Sequence, residues 1–187
     1  INFLTTEKII LGIDPGTTIM GFGLIKVVGK KMEFIQMNEL QLSKYDDHYL
    51  KLKHIFERTI ELIDTHNPDE IAIEAPFYGK NVQSMLKLGR AQGVAMAAGL
   101  SRQIPITEYL PKKIKMAITG NGNASKEQVA LMLKSLLNLQ ILPKNLDATD
   151  GLAAAVCHFY NAGKIDGAIS YSGWESFVKN NEKRVKK

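Results

Sequence analysis

The chain has 187 residues, of which 45% are hydrophobic and 23% are charged, which is typical of one globular domain that buries its own core. Lys and Arg outnumber Asp and Glu by 24 to 19, for a net charge of +5, which is compatible with a nucleic-acid partner without indicating one by itself. The single cysteine, Cys157, excludes an internal disulfide, and no apolar run reaches the roughly 20 residues of a membrane-spanning helix, so we expect a cytoplasmic protein.

The order of apolar patterns along the chain predicts an α/β domain. Short apolar runs bounded by turn residues indicate five strands, at 8–14, 20–28, 32–42, 70–75 and 104–110. Amphipathic or capped segments indicate helices at 46–66, 81–101, 111–119, after a capping box at 125–128, and at 145–162. Three early strands followed by alternating helices and strands predict a mixed five-stranded sheet flanked by helices. We expect one domain over 1–162 and a flexible basic tail over 163–187.

Two carboxylates lie at the ends of predicted strands. Asp14 ends the first strand, and Glu74 closes the apolar run 71–73. Open α/β sheets bind ligands at the carboxyl ends of their strands, although an Asp before Pro-Gly, as at position 14, is also a common turn residue. A charge at Glu74 would cost several kcal/mol if it were buried without a partner, so we expect this side chain to be exposed, paired or bound to a metal.

Two further carboxylates begin the last predicted helix. Asp147 and Asp150 are three residues apart and therefore share one face, where they could simply stabilise the helix N-terminus. The small apolar run 152–156 that follows predicts close packing on the sheet, which would bring these acids toward Asp14 and Glu74. Clustered carboxylates repel one another unless a cation lies among them. Because no His or Cys stands at ligand spacing, the ion should be Mg²⁺ or Mn²⁺, and two such ions would suit phosphodiester cleavage.

Several segments, in order along the chain, match one known family. They are 11–16, 71–74, 79–81, 86–95, 108–109 with Lys115, 124–129 and 147–153. Taken together over about residues 8–160, they resemble the RuvC Holliday junction resolvases. Each segment is short, and their common order makes the resemblance specific.

The resemblance implies an RNase H-like fold and a homodimer that nicks four-way DNA junctions in symmetric pairs during recombination and repair. It also implies two Mg²⁺ ions in each active site, with Mn²⁺ as a possible substitute, and a branch-migration motor complex as a partner. The implied catalytic metal ligands are Asp14, Glu74, Asp147 and Asp150. The implied DNA contacts are a base-stacking Phe77, the phosphate-binding Lys115 and Lys126, and a wider basic field of Lys80, Lys87 and Arg90.

Some features have a second interpretation in the sequence. Phe77 could be a core residue, and Lys80, Lys87 and Arg90 could be ordinary solvated side chains. The stripe formed by Gly89, Gly93 and Ala97 on the predicted central helix could face a second copy of the chain or the chain's own sheet. His158, on the same helix as the last two acids, has no metal-ligand spacing to any other His.

Two other classes of function share part of the pattern. The run 12–18 is similar to the phosphate loop of actin-like ATPases, but this sequence has no second glycine-rich loop and is too short for that class. A protein that binds junctions without cutting them would be expected to lack one or more of the four acids, and none is missing. The nuclease interpretation is therefore the expectation that we test against the structure.

Overall fold

The computed structural model describes residues 7–76 and 81–165. Its strands are β1 (Glu7–Asp14), β2 (Ile19–Val28), β3 (Lys31–Gln41), β4 (Glu70–Glu74) and β5 (Ile106–Tyr109). Its helices are α1 (His48–His66), α2 (Val82–Ser101), α3 (Pro111–Thr119), α4 (Lys126–Leu136) and α5 (Asp147–Ile165). None of these helices is both long enough and apolar enough to cross a bilayer.

The five strands form one mixed sheet in the order β3-β2-β1-β4-β5. Antiparallel pairing joins β1, β2 and β3, whereas β4 lies parallel to β1 and β5 lies parallel to β4. The parallel half brings the carboxyl ends of β1, β4 and β5 to one edge of the sheet. The predicted α/β architecture, a mixed five-stranded sheet flanked by helices, is confirmed.

The sheet separates two apolar cores. Successive residues of a strand point to opposite faces, so Ile10 of β1 lies in one core and Leu11 in the other. The first core packs the sheet against α3, α4 and α5, and the second packs it against α1 and α2. Two helical layers therefore enclose the sheet, and α5 is the helix that crosses the face on which the acids lie.

Glycines allow α5 to approach the sheet closely. A Cβ atom at Gly12 would overlap the carbonyl oxygen of Gly151, and one at Gly21 would overlap the carbonyl oxygen of Asp147. Gly151 meets the backbone of Gly21 in the same way from the helix side. The first turn of α5, which carries Asp147 and Asp150, is therefore pressed against the ends of β1 and β2.

Most boundaries lie within one or two residues of the predicted ones. The last helix begins two residues later than predicted, at Asp147, whose backbone N–H donates a hydrogen bond to the side-chain oxygen of Asn145 (3.2 Å). The helix also continues to Ile165, three residues beyond the predicted end. The capping box between Ser125 and Gln128 is present as predicted.

Candidate active site

The acids that the sequence singles out converge at one end of α5. Because Ile13 of β1 and Ile73 of β4 are register partners in parallel strands, the residues that follow them, Asp14 and Glu74, leave the sheet at the same edge. Asp150 reaches this edge from the first turn of α5, and these three acids line a cavity of about 250 Å³. Asp147 lies beside them at the start of the helix.

Burial and mutual repulsion perturb three of the four acids. Burial raises the pKa of Asp14 well above its usual range, and the negative charges of Glu74 and Asp150 raise it further. Burial, and then the charge of Asp150, raises the pKa of Glu74 to about 7. Burial also raises the pKa of Asp150, although Lys126 opposes the shift. Strongly perturbed carboxylates in a cleft are typical of functional sites.

Lys126 contacts two acids of this cluster directly. Its ammonium group forms ion pairs with Asp147 and with Asp150, the latter at 2.6 Å. The hydrogen bond from Lys126 lowers the pKa of Asp147, in contrast to the other three acids. The sequence resemblance implies a phosphate contact for Lys126, so its direct pairing with two predicted metal ligands was not foreseen.

Lys115 shares the cavity without such a bond. Its side chain lines the same cavity from α3, and its positive charge lowers the pKa of Glu74 and Asp150 against the larger effect of burial. The apolar part of the wall comes from Pro111, Ile114, Val129 and Ala153. Short helices α3 and α4 thus place one lysine each on the side of the cavity opposite the sheet.

Two polar side chains hold the ends of β4 and α5 in place. The buried Gln92 of α2 donates to the carboxylate of Glu108 (2.6 Å) and to the backbone carbonyl of Glu74 (3.4 Å). Asn145, which accepts the hydrogen bond from the first N–H of α5, also donates to the carboxylate of Glu39 in β3 (2.6 Å). Neither Gln92 nor Asn145 is predicted as a site residue from the sequence. A signal for Gln92 was nevertheless present, because a glutamine on the inward face of a helix rich in small residues needs a buried hydrogen-bond partner.

Of the other predicted site residues, Lys87 and Arg90 do not line the cavity. Lys87 and Arg90 are exposed on α2, where their positive charges, after burial, contribute to the lowered pKa of His48 on α1. Phe77 and Lys80 lie outside the described residues. The exposed side of α2 carries Gly89, Gly93 and Ala97, and a Cβ at either glycine would meet no atom within 4 Å. The interpretation that this stripe packs on the chain's own sheet is therefore wrong.

His158 belongs to a separate network near the other end of β4. One ring nitrogen lies 2.8 Å from the hydroxyl of Tyr109, and the other lies 2.9 Å from the carboxylate of Glu70. The other oxygen of Glu70 accepts a hydrogen bond from Lys8 (2.7 Å). Because every polar group in this network has a partner, His158 serves to join α5 to the sheet.

The donor set fits a hard divalent cation. It consists of carboxylate oxygens, the ligands that Mg²⁺ and Mn²⁺ prefer, with no nearby thiolate or imidazole. Four carboxylates lie beside only two ammonium groups of this cavity, those of Lys126 and Lys115, so the ionised acids outnumber these cations by two. Among residues 7–76 and 81–165, no three acidic, His or Cys side chains are already drawn together as a finished metal site.

The fold and the converging acids define the class of protein as an RNase H-like domain with a carboxylate-lined cavity at one edge of its sheet. The family model for crossover junction endodeoxyribonuclease RuvC matches residues 10–158. A crossover junction endodeoxyribonuclease RuvC from Christiangramia forsetii is 81% identical over 99% of this chain and 96% of its own length. One from Bacteroides fragilis is 63% identical over 96% of this chain and 97% of its own length. The chain belongs to the RuvC family of crossover junction endodeoxyribonucleases.

A solved structure agrees with this assignment. The structure of Thermus thermophilus RuvC in complex with Holliday junction substrate superposes with a TM-score of 0.77 at 29% identity, covering 83% of this chain and 94% of that one. Both the family and the RNase H-like fold that the sequence resemblance implies are confirmed.

Proposed function

We propose that this chain resolves four-way DNA junctions by paired symmetric nicks, using divalent cations held by Asp14, Glu74, Asp147 and Asp150. The observation that carries the proposal is the convergence of three of these acids in one cavity, with the fourth joined to them through Lys126. Family membership supports the junction as substrate, because a relative of the same fold has been solved with a Holliday junction. The proposed biological setting is DNA recombination and repair.

The residues in and around the cavity have distinct roles in this proposal. The acids of β1, β4 and α5 hold Mg²⁺, two ions in each site, with Mn²⁺ as a possible substitute. When bound, such ions lower the pKa of an attacking water and stabilise the leaving oxygen of the phosphodiester. Gln92 and Asn145 keep Glu74 and the first turn of α5 in position. Lys115 provides positive charge toward a DNA phosphate at the mouth of the cavity.

A synthetic four-way junction tests this function. With Mg²⁺, the chain should cut the junction into two nicked duplexes and should leave a linear duplex of the same sequences intact. With chelator in place of Mg²⁺, the junction should be bound and not cut. A gel shift without any Mg²⁺-dependent product would instead support a junction-binding protein, and ATP hydrolysis without DNA would support the actin-like alternative.

We further propose that the working form is a homodimer with α2 at its interface. The exposed face of this helix is apolar and smooth, which lets a second backbone approach closely, as in other helix pairs with small residues at the contact. Its members recur every three or four residues: Val82, Leu86, Gly89, Gly93, Ala97 and Leu100. A two-fold dimer also matches the near two-fold symmetry of a junction that receives two nicks.

Sedimentation distinguishes the dimer from a monomer. The free chain at micromolar concentration should sediment at about twice its 20.8 kDa mass, and Gly93→Glu should shift it to the monomer mass because two carboxylates would meet at the two-fold contact. Nothing lies within 4 Å of a Cβ at this position, so the substitution should not disturb the fold. Ser84→Glu adds the same charge on the opposite side of α2 and should leave the dimer intact. A wild-type chain that stays monomeric even on a junction would contradict the dimer.

The DNA contacts outside the cavity are proposals that rest on the resemblance. Phe77 would stack on an unpaired base near the junction centre, which is worth about 1–3 kcal/mol, and Lys80, Lys87 and Arg90 would extend the basic surface. Phe77→Ala should slow resolution while Mg²⁺ binding is retained, and normal cleavage by this variant would remove the stacking role.

Three broader assignments also remain proposals. They are a nuclease domain over 1–162 with a tail over 163–187, a cytoplasmic setting, and a branch-migration motor complex as a partner. Stimulation of junction cleavage by purified motor proteins would support the last of these. Deletion of 166–187, which lie outside the described residues, should leave the cleavage activity of the remaining chain intact.

A further inference from the structure

Lys126 occupies an unfavourable place for a cation in its own helix. It is the first residue of α4, directly after the N-cap Ser125, and a capping box fixes this start. The positive end of the helix dipole lies here, so a lysine is less favourable than an acid at this position. Its ammonium group nevertheless forms ion pairs with both Asp147 and Asp150, the latter at 2.6 Å. The contacts with these two acids therefore compensate for the unfavourable interaction of the Lys126 charge with the helix dipole.

The two lysines of the cavity differ in how they meet the acids. Both Lys115 and Lys126 line the cavity that contains Asp14, Glu74 and Asp150. Lys115 acts on the acids only through its charge, whereas the ammonium group of Lys126 bonds to carboxylate oxygens of both α5 acids. Asp147 and Asp150 are also two of the four acids that would hold a divalent cation in the proposed metal site.

We propose that Lys126 is a built-in substitute cation, which holds Asp147 and Asp150 together in the metal-free protein and has to leave them when a divalent ion binds. This inference rests on the proposed metal site and adds a competitor within the chain for it. Without Lys126, two aspartates one helical turn apart would repel each other beside the acids of β1 and β4.

Movement of Lys126 is compatible with its surroundings. Its side chain is 37% exposed, and a lysine stem is flexible, so the ammonium group can swing away from α5 without rearrangement of the core. The released charge stays at the edge of the same cavity, where a DNA phosphate would be cut. Metal loading and phosphate binding are then coupled, because the cation that leaves the acids becomes available to the substrate.

Calorimetric titration of Mn²⁺ into the full chain, without DNA, tests this competition. We compare the wild type with Lys126→Met, which keeps the stem and removes the charge, and with Lys115→Met, which removes one equal charge from the same cavity. Lys126→Met should bind Mn²⁺ roughly five- to tenfold more tightly than the wild type, because two partly exposed ion pairs no longer compete. Lys115→Met should gain about twofold at most, from the lost repulsion alone.

Thermal unfolding gives a second measurement that does not depend on cleavage. In chelator, Lys126→Met should unfold at a lower temperature than Lys115→Met, because the α5 acids lose their counter-charge, and saturating Mg²⁺ should remove this difference. A Lys126→Met chain that binds Mn²⁺ no more tightly than Lys115→Met, with equal unfolding temperatures in chelator, would overturn the inference and leave the proposed function standing. Absence of Mn²⁺ binding by the wild type, together with absence of Mg²⁺-dependent cleavage, would overturn both.

Discussion

The pKa values of buried carboxylates shift in opposite directions at the two ends of β4. At the carboxyl end, burial raises the pKa values of Glu74 and of the neighbouring Asp14 and Asp150, because it removes the water that solvates their charged forms. At the other end, hydrogen bonds from Lys8 and His158 outweigh the effect of burial on Glu70 and lower its pKa. The sheet and α5 thus hold one cluster in which carboxylates outnumber the neighbouring lysines and one network in which each polar group has a partner.

This difference separates a site that is built for a ligand from one that is built for stability. A balanced network such as Lys8, Glu70, His158 and Tyr109 stabilises the fold because each polar group finds a partner within the chain. An excess of like charges lowers stability until a cation from outside binds. We infer that the acid cavity lowers the stability of the metal-free chain and that metal binding restores it.

The largest expected effect is the loss of cleavage in the acid cavity. Asp14→Asn should reduce the rate of Mg²⁺-dependent junction cleavage by on the order of a thousandfold or more, because a metal ligand at the reacting phosphate is lost. Asp147→Asn and Asp150→Asn should act in the same way. Junction binding in chelator should persist, since phosphate affinity comes from Lys and Arg. Asp64→Asn, which only loses a surface pair with Arg102, should cut like the wild type.

The next effect concerns the balanced network. His158→Ala should lower the free energy of unfolding by about 2–4 kcal/mol, because it leaves the Tyr109 hydroxyl and one oxygen of Glu70 without partners and opens a cavity under α5. Urea unfolding in chelator measures this change. His66→Ala, at the partly exposed end of α1, should change it by about 0.5 kcal/mol or less. A small effect of His158→Ala would mean that the network does not hold α5 to the sheet.

The two ends should also respond differently to pH. Burial raises the pKa of Glu74 from its ordinary value of 4.5 to about 7 in the folded chain, so protonation of Glu74 favours folding. That stabilisation is complete below about pH 4.5 and is lost as the pH rises toward 7. In chelator, wild-type stability should therefore fall between pH 5 and about 7 more steeply than that of Glu74→Gln. Equal slopes in urea unfolding at these pH values would contradict the raised pKa.

The smallest expected effect is that of the cavity lysine without an ion pair. Lys115→Ala should weaken junction binding and should reduce the slope of log affinity against log salt by roughly one phosphate contact. Lys134→Ala, which removes a lysine from the last turn of α4, is the control and should leave the slope unchanged. An unchanged slope in Lys115→Ala would remove this side chain from the DNA surface.

The sequence predicts the fold better than it predicts the electrostatics of the site. Strand and helix positions follow from local patterns. The small residues at 152–156 predict that α5 packs closely on the sheet, and the contacts at Gly12 and Gly21 confirm this. The ion pairs of Lys126 could not be anticipated, because residues 126 and 150 are distant in sequence and their side chains meet only after α4 and α5 pack. The network of His158 was missed for the same reason, since its partners come from β4 and β5.

The exposed stripe on α2 shows where periodicity alone is ambiguous. Gly89, Gly93 and Ala97 share one face by spacing, which is equally compatible with packing on the sheet or on a partner. The structure excludes packing of this stripe on the sheet, because the inward face of α2 is formed by other residues: Ala91, Gln92, Ala95 and Ala98. A local pattern identifies a face of a helix, and only the tertiary arrangement shows what that face meets.

One matched pair of variants tests the central claim most directly. Glu74 and Glu70 stand at the two ends of β4, and each can be changed to Gln with the loss of one negative charge. The measurement is the Mg²⁺-dependent rate of four-way junction cleavage per folded molecule. Glu74→Gln should lose on the order of a thousandfold, while Glu70→Gln should cut at the wild-type rate despite lower stability. Equal rates for the two variants, or a larger loss in Glu70→Gln, would contradict the assignment of the acid cavity as the active site.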